Sequence, residues 1–249
     1  MKADIGVFGG SGFYDLLNDA TAHELDTPFG APSAPMTIGT VGDRTVAFLP
    51  RHGTHHRLPP HAVPYRANVA AMRALGVRAL LAPFAAGSLR PDVHPGDLVV
   101  VDQLVDRTWG RADTFHDTFP DGPQHVSLAD PYDEPTRRAL LDAVRAEGAT
   151  VHDHGTVVVI QGPRFATRAE SQWYRSAGWD VINMTQYPET ALAREAGIAY
   201  AGIALITDYD TGLEGVDGIE PVSQDAVFAA FEANLDVVRA VLLRAIASL

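Results

Sequence analysis

Two carboxylates separated by one residue, Asp208 and Asp210, follow the apolar run 200–206 through Thr207. A carboxyl that keeps its proton can share it with a ring nitrogen as that ring departs, which is general acid catalysis. An ionised neighbour is acceptor-only and suits an amine rather than a carbonyl. By position alone the pair reads as readily as Asx turns or a helix cap. A second group, Arg51-His52-Gly53, opens a basic stretch with His55, His56, Arg57 and His61. An arginine at a strand end can grip an oxyanion with two N–H groups, and a histidine can add a donor. The stretch can also be a solvated loop or an imidazole metal site. No H-E-x-x-H pattern is present, and four histidines in a proline-containing loop dictate no coordination geometry.

Four further segments carry weaker signals. Gly9-Gly10-Ser11-Gly12 offers free backbone and a hydroxyl that can meet phosphate oxygens, or else forms a plain tight turn. It has neither the Walker lysine nor G-x-G-x-x-G spacing, so it is no ATP or dinucleotide fingerprint. Ala85-Ala86-Gly87-Ser88 can bring backbone amides to the same anion, or simply let backbones pack closely. Gly162-Pro163-Arg164-Phe165 can present an aromatic face to a ring, although a lone Phe more often packs in a core. Asn183-Met184-Thr185 places a soft apolar side chain and a hydroxyl at a strand end.

The elements that must position these groups alternate between two periodicities. Residues 5–8, 45–49, 79–82, 98–104, 157–160, 181–184 and 200–206 are apolar runs of strand length. Residues 65–75 space Val69, Met72 and Leu75 helically and stop at Gly76, and 135–147 read as an amphipathic helix with Pro135 in its first turn. Helices are also predicted around 187–196, over 223–247 and at Glu170, which can meet a sugar hydroxyl, bond Arg168 or cap its helix. Residues 107–131 read as a long excursion and 211–221 as a glycine-containing loop. No repeat or composition break divides the chain. The expectation is an α/β protein, one domain over 1–249, with a central mixed, largely parallel sheet flanked by helices. The motifs follow predicted strands, where open α/β sheets collect ligands.

Composition narrows the classes. The 249 residues are 46% hydrophobic and 20% charged, as in folded globular chains. With no cysteine there is no disulfide framework, thiolate zinc site or cysteine nucleophile. A net charge of −12 disfavours nucleic acid as a partner, since duplex binding needs lysines and arginines against phosphates. No stretch approaches the ~20 apolar residues of a membrane helix, and the start MKADIGVFGGSG does not read as a secretory signal. A soluble cytoplasmic protein is expected.

Taken together, Gly9-Gly10-Ser11-Gly12, Asp26-Thr27-Pro28-Phe29-Gly30, Arg51-His52-Gly53, Pro95-Gly96-Asp97, Asp102-Gln103, Asp106-Arg107-Thr108, Gly162-Pro163-Arg164-Phe165, residues 181–185 and Thr207-Asp208-Tyr209-Asp210 resemble the methylthioadenosine phosphorylase branch of the trimeric purine nucleoside phosphorylases. The likeness runs nearly end to end. It implies the nucleoside phosphorylase fold and phosphorolysis: phosphate attacks C1′ with inversion while the purine leaves, giving base and pentose 1-phosphate for purine salvage. It implies phosphate contacts from Ser11, Arg51, His52, the Ala85 amide and Thr185, with Met184 along the ribose and Phe165 against the base. Asp208 would meet N7 and Asp210 the 6-amino group, which favours adenine over 6-oxopurines. His125 resembles a residue that enters a neighbouring subunit's 5′ pocket, in a homotrimer or a dimer of trimers. No metal or organic cofactor is implied; inorganic phosphate is a co-substrate.

Three residues depart from the family pattern. Phe84 stands in place of a phosphate-binding Thr or Asn, Pro64 in place of an Asn, and Gln224 in place of an apolar residue facing the 5′ substituent. A 6-oxopurine or broad purine nucleoside phosphorylase is the alternative enzyme. A non-catalytic nucleoside-binding protein, suggested by Phe84, is the alternative of another class, and a metal-dependent hydrolase stands further off.

Overall fold

The computed structural model describes residues 1–9, 17–211, 219 and 222–249, so Ser11 and the rest of its glycine loop beyond Gly9 lie outside the described residues. In chain order the elements are β1 (Ile5–Gly9), β2 (Asn18–His23), β3 (Met36–Val41), β4 (Arg44–Pro50), α1 (Tyr65–Ala74), β5 (Ala79–Ser88), β6 (Leu98–Val100) and β7 (Gln103–Arg107). They continue with α2 (Glu134–Ala146), β8 (Val151–His152), β9 (Thr156–Ile160), α3 (Arg168–Ser176), β10 (Val181–Asn183), α4 (Gln186–Glu195), β11 (Ala199–Asp208), α5 (Gln224–Ala233) and α6 (Leu235–Ser248).

Among the described residues the strands form one mixed sheet with the path β2-β3-β4-β1-β5-β10-β9-β7, and β11, β6 and β8 branch from β5. The parallel pairs join β1 to β4 and β5, β11 to β5, β10 to β9, β7 to β9 and β6 to β8. One side of the sheet packs with α1 and α4 through Val69, Met72, Leu192 and Ala193. The other packs with α2 and α6 through Leu140, Val144, Val238 and Leu242. A smaller cluster beneath α3 joins Tyr174 to Val158, Ile160 and Ile182.

Strand β5 is the spine of the site. Its first residues, 79–81, pair parallel with β1, and its last, Gly87 and Ser88, pair antiparallel with β10. Between those contacts, along residues 82–86, that edge passes from one neighbour to the other. The carboxyl ends of β1 and β10 therefore approach along β5 from opposite directions, and this change of neighbours marks a candidate crevice of the kind at which open sheets take ligands.

Strands β2, β3 and β8 are not among the expected ones, and three expected segments take another form. The run 98–104 is two strands: β6 pairs with β11 and β8, whereas β7 pairs with β9. The chain changes neighbours at Val101-Asp102, and continuous hydrophobicity cannot encode that exchange. Ala85-Ala86-Gly87-Ser88 is the second half of β5 rather than a loop beyond it. The C-terminal helix breaks at Asn234 (φ −111°, ψ 5°), whose side chain donates to the Ala230 carbonyl at 2.8 Å and so competes with the helical ladder.

The excursion after β7 is tied to the sheet by charged groups. Arg111 donates to the carbonyls of Tyr187 (2.5 Å) and Gln161 (2.9 Å) and to the Tyr65 hydroxyl (3.2 Å). The Glu195 carboxylate accepts from the Thr114 hydroxyl and the Phe115 N–H, both at 2.7 Å. No described helix is long and apolar enough to cross a membrane.

Candidate active site

At one end of the crevice, β11 delivers the paired carboxylates. Its register against β5 slips between Ile206 and Asp208, bringing Asp208 opposite Gly87. Such an irregularity re-aims a side chain at a strand end. The Asp208 carboxylate accepts from the Thr207 hydroxyl at 2.8 Å and from the Asp210 N–H at 2.7 Å. Burial raises its pKa above the usual carboxylate range, and these two bonds oppose the rise. The shift runs in the direction that general acid catalysis favours. Gly87 makes room for it: a Cβ there would lie 2.8 Å from Asp208 Oδ1 and 3.0 Å from Ile182 Cγ2.

Asp210 adopts a left-handed backbone (φ 51°) and is buried, and its Oδ2 accepts from the Ser171 hydroxyl. Ser171 was not singled out in the sequence. The available signal was its spacing from Tyr174, since the two share the buried face of α3. Glu170, beside it, closes the capping box with Thr167 and pairs with Arg164 at 2.8 Å.

Arg51, at the end of β4, is only 2% exposed. Its two-pronged partner is Glu189 of α4, with Nε to Oε2 at 2.7 Å and Nη2 to Oε1 at 2.9 Å. Nη2 also meets the Phe8 carbonyl (3.4 Å), and Nη1 the Pro83 carbonyl (3.3 Å). A guanidinium has five N–H groups, so one Nη1 hydrogen remains beyond these contacts. The expectation that Arg51 grips an anion bidentately is corrected: its fork is taken by a protein carboxylate. Burial disfavours the Arg51 charge, but Glu189 outweighs that and holds its pKa above the ordinary value.

His52 is corrected in a similar way. Its Nδ1 lies 2.9 Å from the Leu58 carbonyl, an acceptor, so Nδ1 carries the hydrogen and Nε2 of the neutral ring is an acceptor. Burial above all, then His56 and Arg51, lowers its pKa to about 3. The ring stacks on His56 with centroids 4.1 Å apart, and His56 meets the edge of Phe228 on α5. Among the described residues no His, Asp and Glu groups cluster as a metal would require.

The remaining sequence-predicted residues fall partly beside these ends and partly away from them. Asn183 donates to the Ala85 carbonyl at 3.1 Å and accepts from the Thr185 N–H at 2.6 Å, which ties β10 and the start of α4 to the spine. Thr185 is buried there. Met184 packs against the 162–165 loop: a Cβ on Gly162, whose φ is 59°, would meet its sulfur at 2.5 Å. Phe165 on that loop is 38% exposed. His125 lies on the exposed excursion with its ring against Phe119 (5.6 Å). Its placement does not bring it to this chain's crevice. Phe84 turns into the core at 4% exposure, where a Cβ on Gly202 would lie 3.2 Å from its ring. The ring therefore fills space that Gly202 leaves open. Pro64 precedes α1 as its N-cap, and Gln224 begins α5 in an exposed position.

An α/β sheet that brings a carboxylate pair and a buried Arg–Glu pair to one strand, β5, defines the class. Residues 4–247 match the family described as the phosphorylase superfamily, and the chain belongs to it. It is 56% identical to the S-methyl-5′-thioadenosine phosphorylase of Mycolicibacterium smegmatis over 93% of this chain and 85% of that one. It is 51% identical to the purine nucleoside phosphorylase of Streptomyces coelicolor over 100% of this chain and 90% of the other. The methylthioadenosine phosphorylase of Schistosoma mansoni, solved with adenine, superposes with a TM-score of 0.93 at 42% identity, covering 99% of this chain and 91% of that one.

Proposed function

We propose that this chain catalyses phosphorolysis of the N-glycosidic bond of adenine nucleosides, with 5′-methylthioadenosine the leading substrate, giving adenine and a pentose 1-phosphate. The observation that carries the assignment is the carboxylate pair that β11 sets opposite Gly87, with Asp208 half-buried and Asp210 buried beside it. Asp208 shares its proton with N7 as the C1′–N9 bond breaks, and Asp210 accepts from the 6-amino group. A 6-oxo group would leave that acceptor facing another, at about 1–3 kcal/mol. Phe165 and Met184 border the base and ribose. Arg51 through its remaining Nη1 hydrogen, Thr185, the Ala85 amide and Ser11 form the phosphate end, with the neutral His52 ring beside Arg51. Bringing the anion to C1′ and neutralising the departing base lower the barrier without a metal or organic cofactor.

We further infer a homotrimer or dimer of trimers, in which His125 completes a neighbour's 5′ pocket. Exposed Trp109, Phe119 and Val126 on its excursion support this reading. The place of action is the cytoplasm, in purine salvage. The reading as a non-catalytic binder loses its motive, because Phe84 lies in the core.

The deciding experiment is base release from methylthioadenosine, adenosine and inosine, with and without phosphate. Phosphate-dependent release of adenine is expected, with methylthioadenosine fastest. Inosine as the best substrate would move the assignment to a 6-oxopurine enzyme, and release without phosphate would make it a hydrolase.

A further inference from the structure

Among the described residues, the mechanism above leaves one fully buried charged residue unused. Glu189 has 0% exposure, lies on α4 beyond Thr185, and binds Arg51 through both carboxylate oxygens. Its Oε1 also accepts from the Tyr200 hydroxyl at 2.6 Å. Burial keeps that phenol protonated and donating. The two basic residues at this end therefore present no net positive charge: Arg51 is paired with Glu189, and neutral His52 holds its Nδ1–H on Leu58.

The arrangement has a kinetic meaning if phosphate binds here, a premise that rests on the proposed function. A buried cation would hold a phosphate anion tightly in the ground state. It would also draw charge from the oxygen that must attack C1′. Binding that stabilises the ground state more than the transition state lowers turnover. A carboxylate on the far side of the guanidinium removes that excess attraction and fixes the direction of the remaining Nη1 hydrogen.

We infer that Glu189 is a positioning residue that sets the charge of the phosphate end, compensating Arg51 so that phosphate is held by a directed donor rather than by a free cation. Tyr200 tunes it by drawing part of the carboxylate's charge toward its own hydroxyl.

The test is steady-state kinetics of the whole enzyme with phosphate varied, together with inhibition by sulfate, an anion that binds without forming the product. Glu189→Gln keeps the shape and removes the charge. Its KM for phosphate and Ki for sulfate should fall about tenfold, by the strength of a lost carboxylate a few ångströms away, while kcat falls. Glu189→Asp should restore both toward the parent values. A merely structural role would raise KM together with lowering kcat, so an unchanged or raised KM for phosphate in Glu189→Gln overturns the inference. If that variant does not fold, Tyr200→Phe carries the test. With the full carboxylate charge turned on Arg51, KM for phosphate should rise about twofold, and an unchanged value overturns the inference. A parent enzyme that releases adenine independently of phosphate would instead refute the proposed reaction, leaving the two failures distinguishable.

Discussion

The two ends of the crevice treat buried charge in opposite ways. At the β11 end the half-buried Asp208 carboxylate accepts from a hydroxyl and a backbone N–H, and its partial burial raises its pKa. At the β4 end the Arg51 guanidinium is buried against Glu189 and retains its charge. Both ends hang on the same strand, since Asp208 faces Gly87 and Arg51 reaches the Pro83 carbonyl. The difference teaches how one strand can serve two steps of a displacement. Under the proposed phosphorolysis, the group that gives a proton is left short of compensation, whereas the group that holds an anion is compensated in advance.

The contrast breaks most severely at the acid. Asp208→Ala should lower kcat/KM by about 10²–10⁴, with little change in the affinity for phosphate. Full activity in that variant would remove the leaving-group role. The rate of the parent should fall as pH rises through the elevated Asp208 pKa, because its protonated form acts, and that limb should be missing in Asp208→Asn. Gly87→Ala tests the same end by geometry. Its Cβ would stand 2.8 Å from the carboxylate and 3.0 Å from Ile182, and a displacement of that kind lowers kcat about 100-fold. Near-normal kinetics would mean that the close approach is not needed.

Specificity sharpens the contrast within the base end. Asp210→Asn offers a donor where the carboxylate could only accept, so the inosine-to-adenosine ratio of kcat/KM should rise about tenfold. An unchanged ratio would separate Asp210 from recognition of the 6-position. The smallest effect is expected at the phosphate end, on stability. Between pH 6.5 and about 3, folded His52 binds fewer protons than the unfolded chain. The stability tied to its neutral form is therefore complete above pH 6.5 and is lost as pH falls through that window. His52→Gln should lose about 1–2 kcal/mol less than the parent between pH 7 and pH 5 in urea unfolding. Equal losses would show that His52 titrates normally.

Much of the scaffold was legible. Apolar runs marked the cores of β1, β4, β9 and β11, and Pro135 marked the first turn of α2. Pairing partners were not, because one apolar run serves any neighbour. This is why 98–104 became β6 and β7, and why residues 85–88 proved to be strand.

By itself the sequence determined the α/β alternation, the Asp208–Asp210 spacing and the family pattern. Residue type and period are local properties that need no partner. The tertiary structure alone decided that Ser171 reaches Asp210 and that Glu189, 138 positions beyond Arg51, occupies the arginine's fork. It also decided that Phe84 turns toward Gly202 and that His52 is held neutral. Each of these depends on which group lies opposite in space and on how far burial shifts a charge, and neither is a property of spacing along the chain.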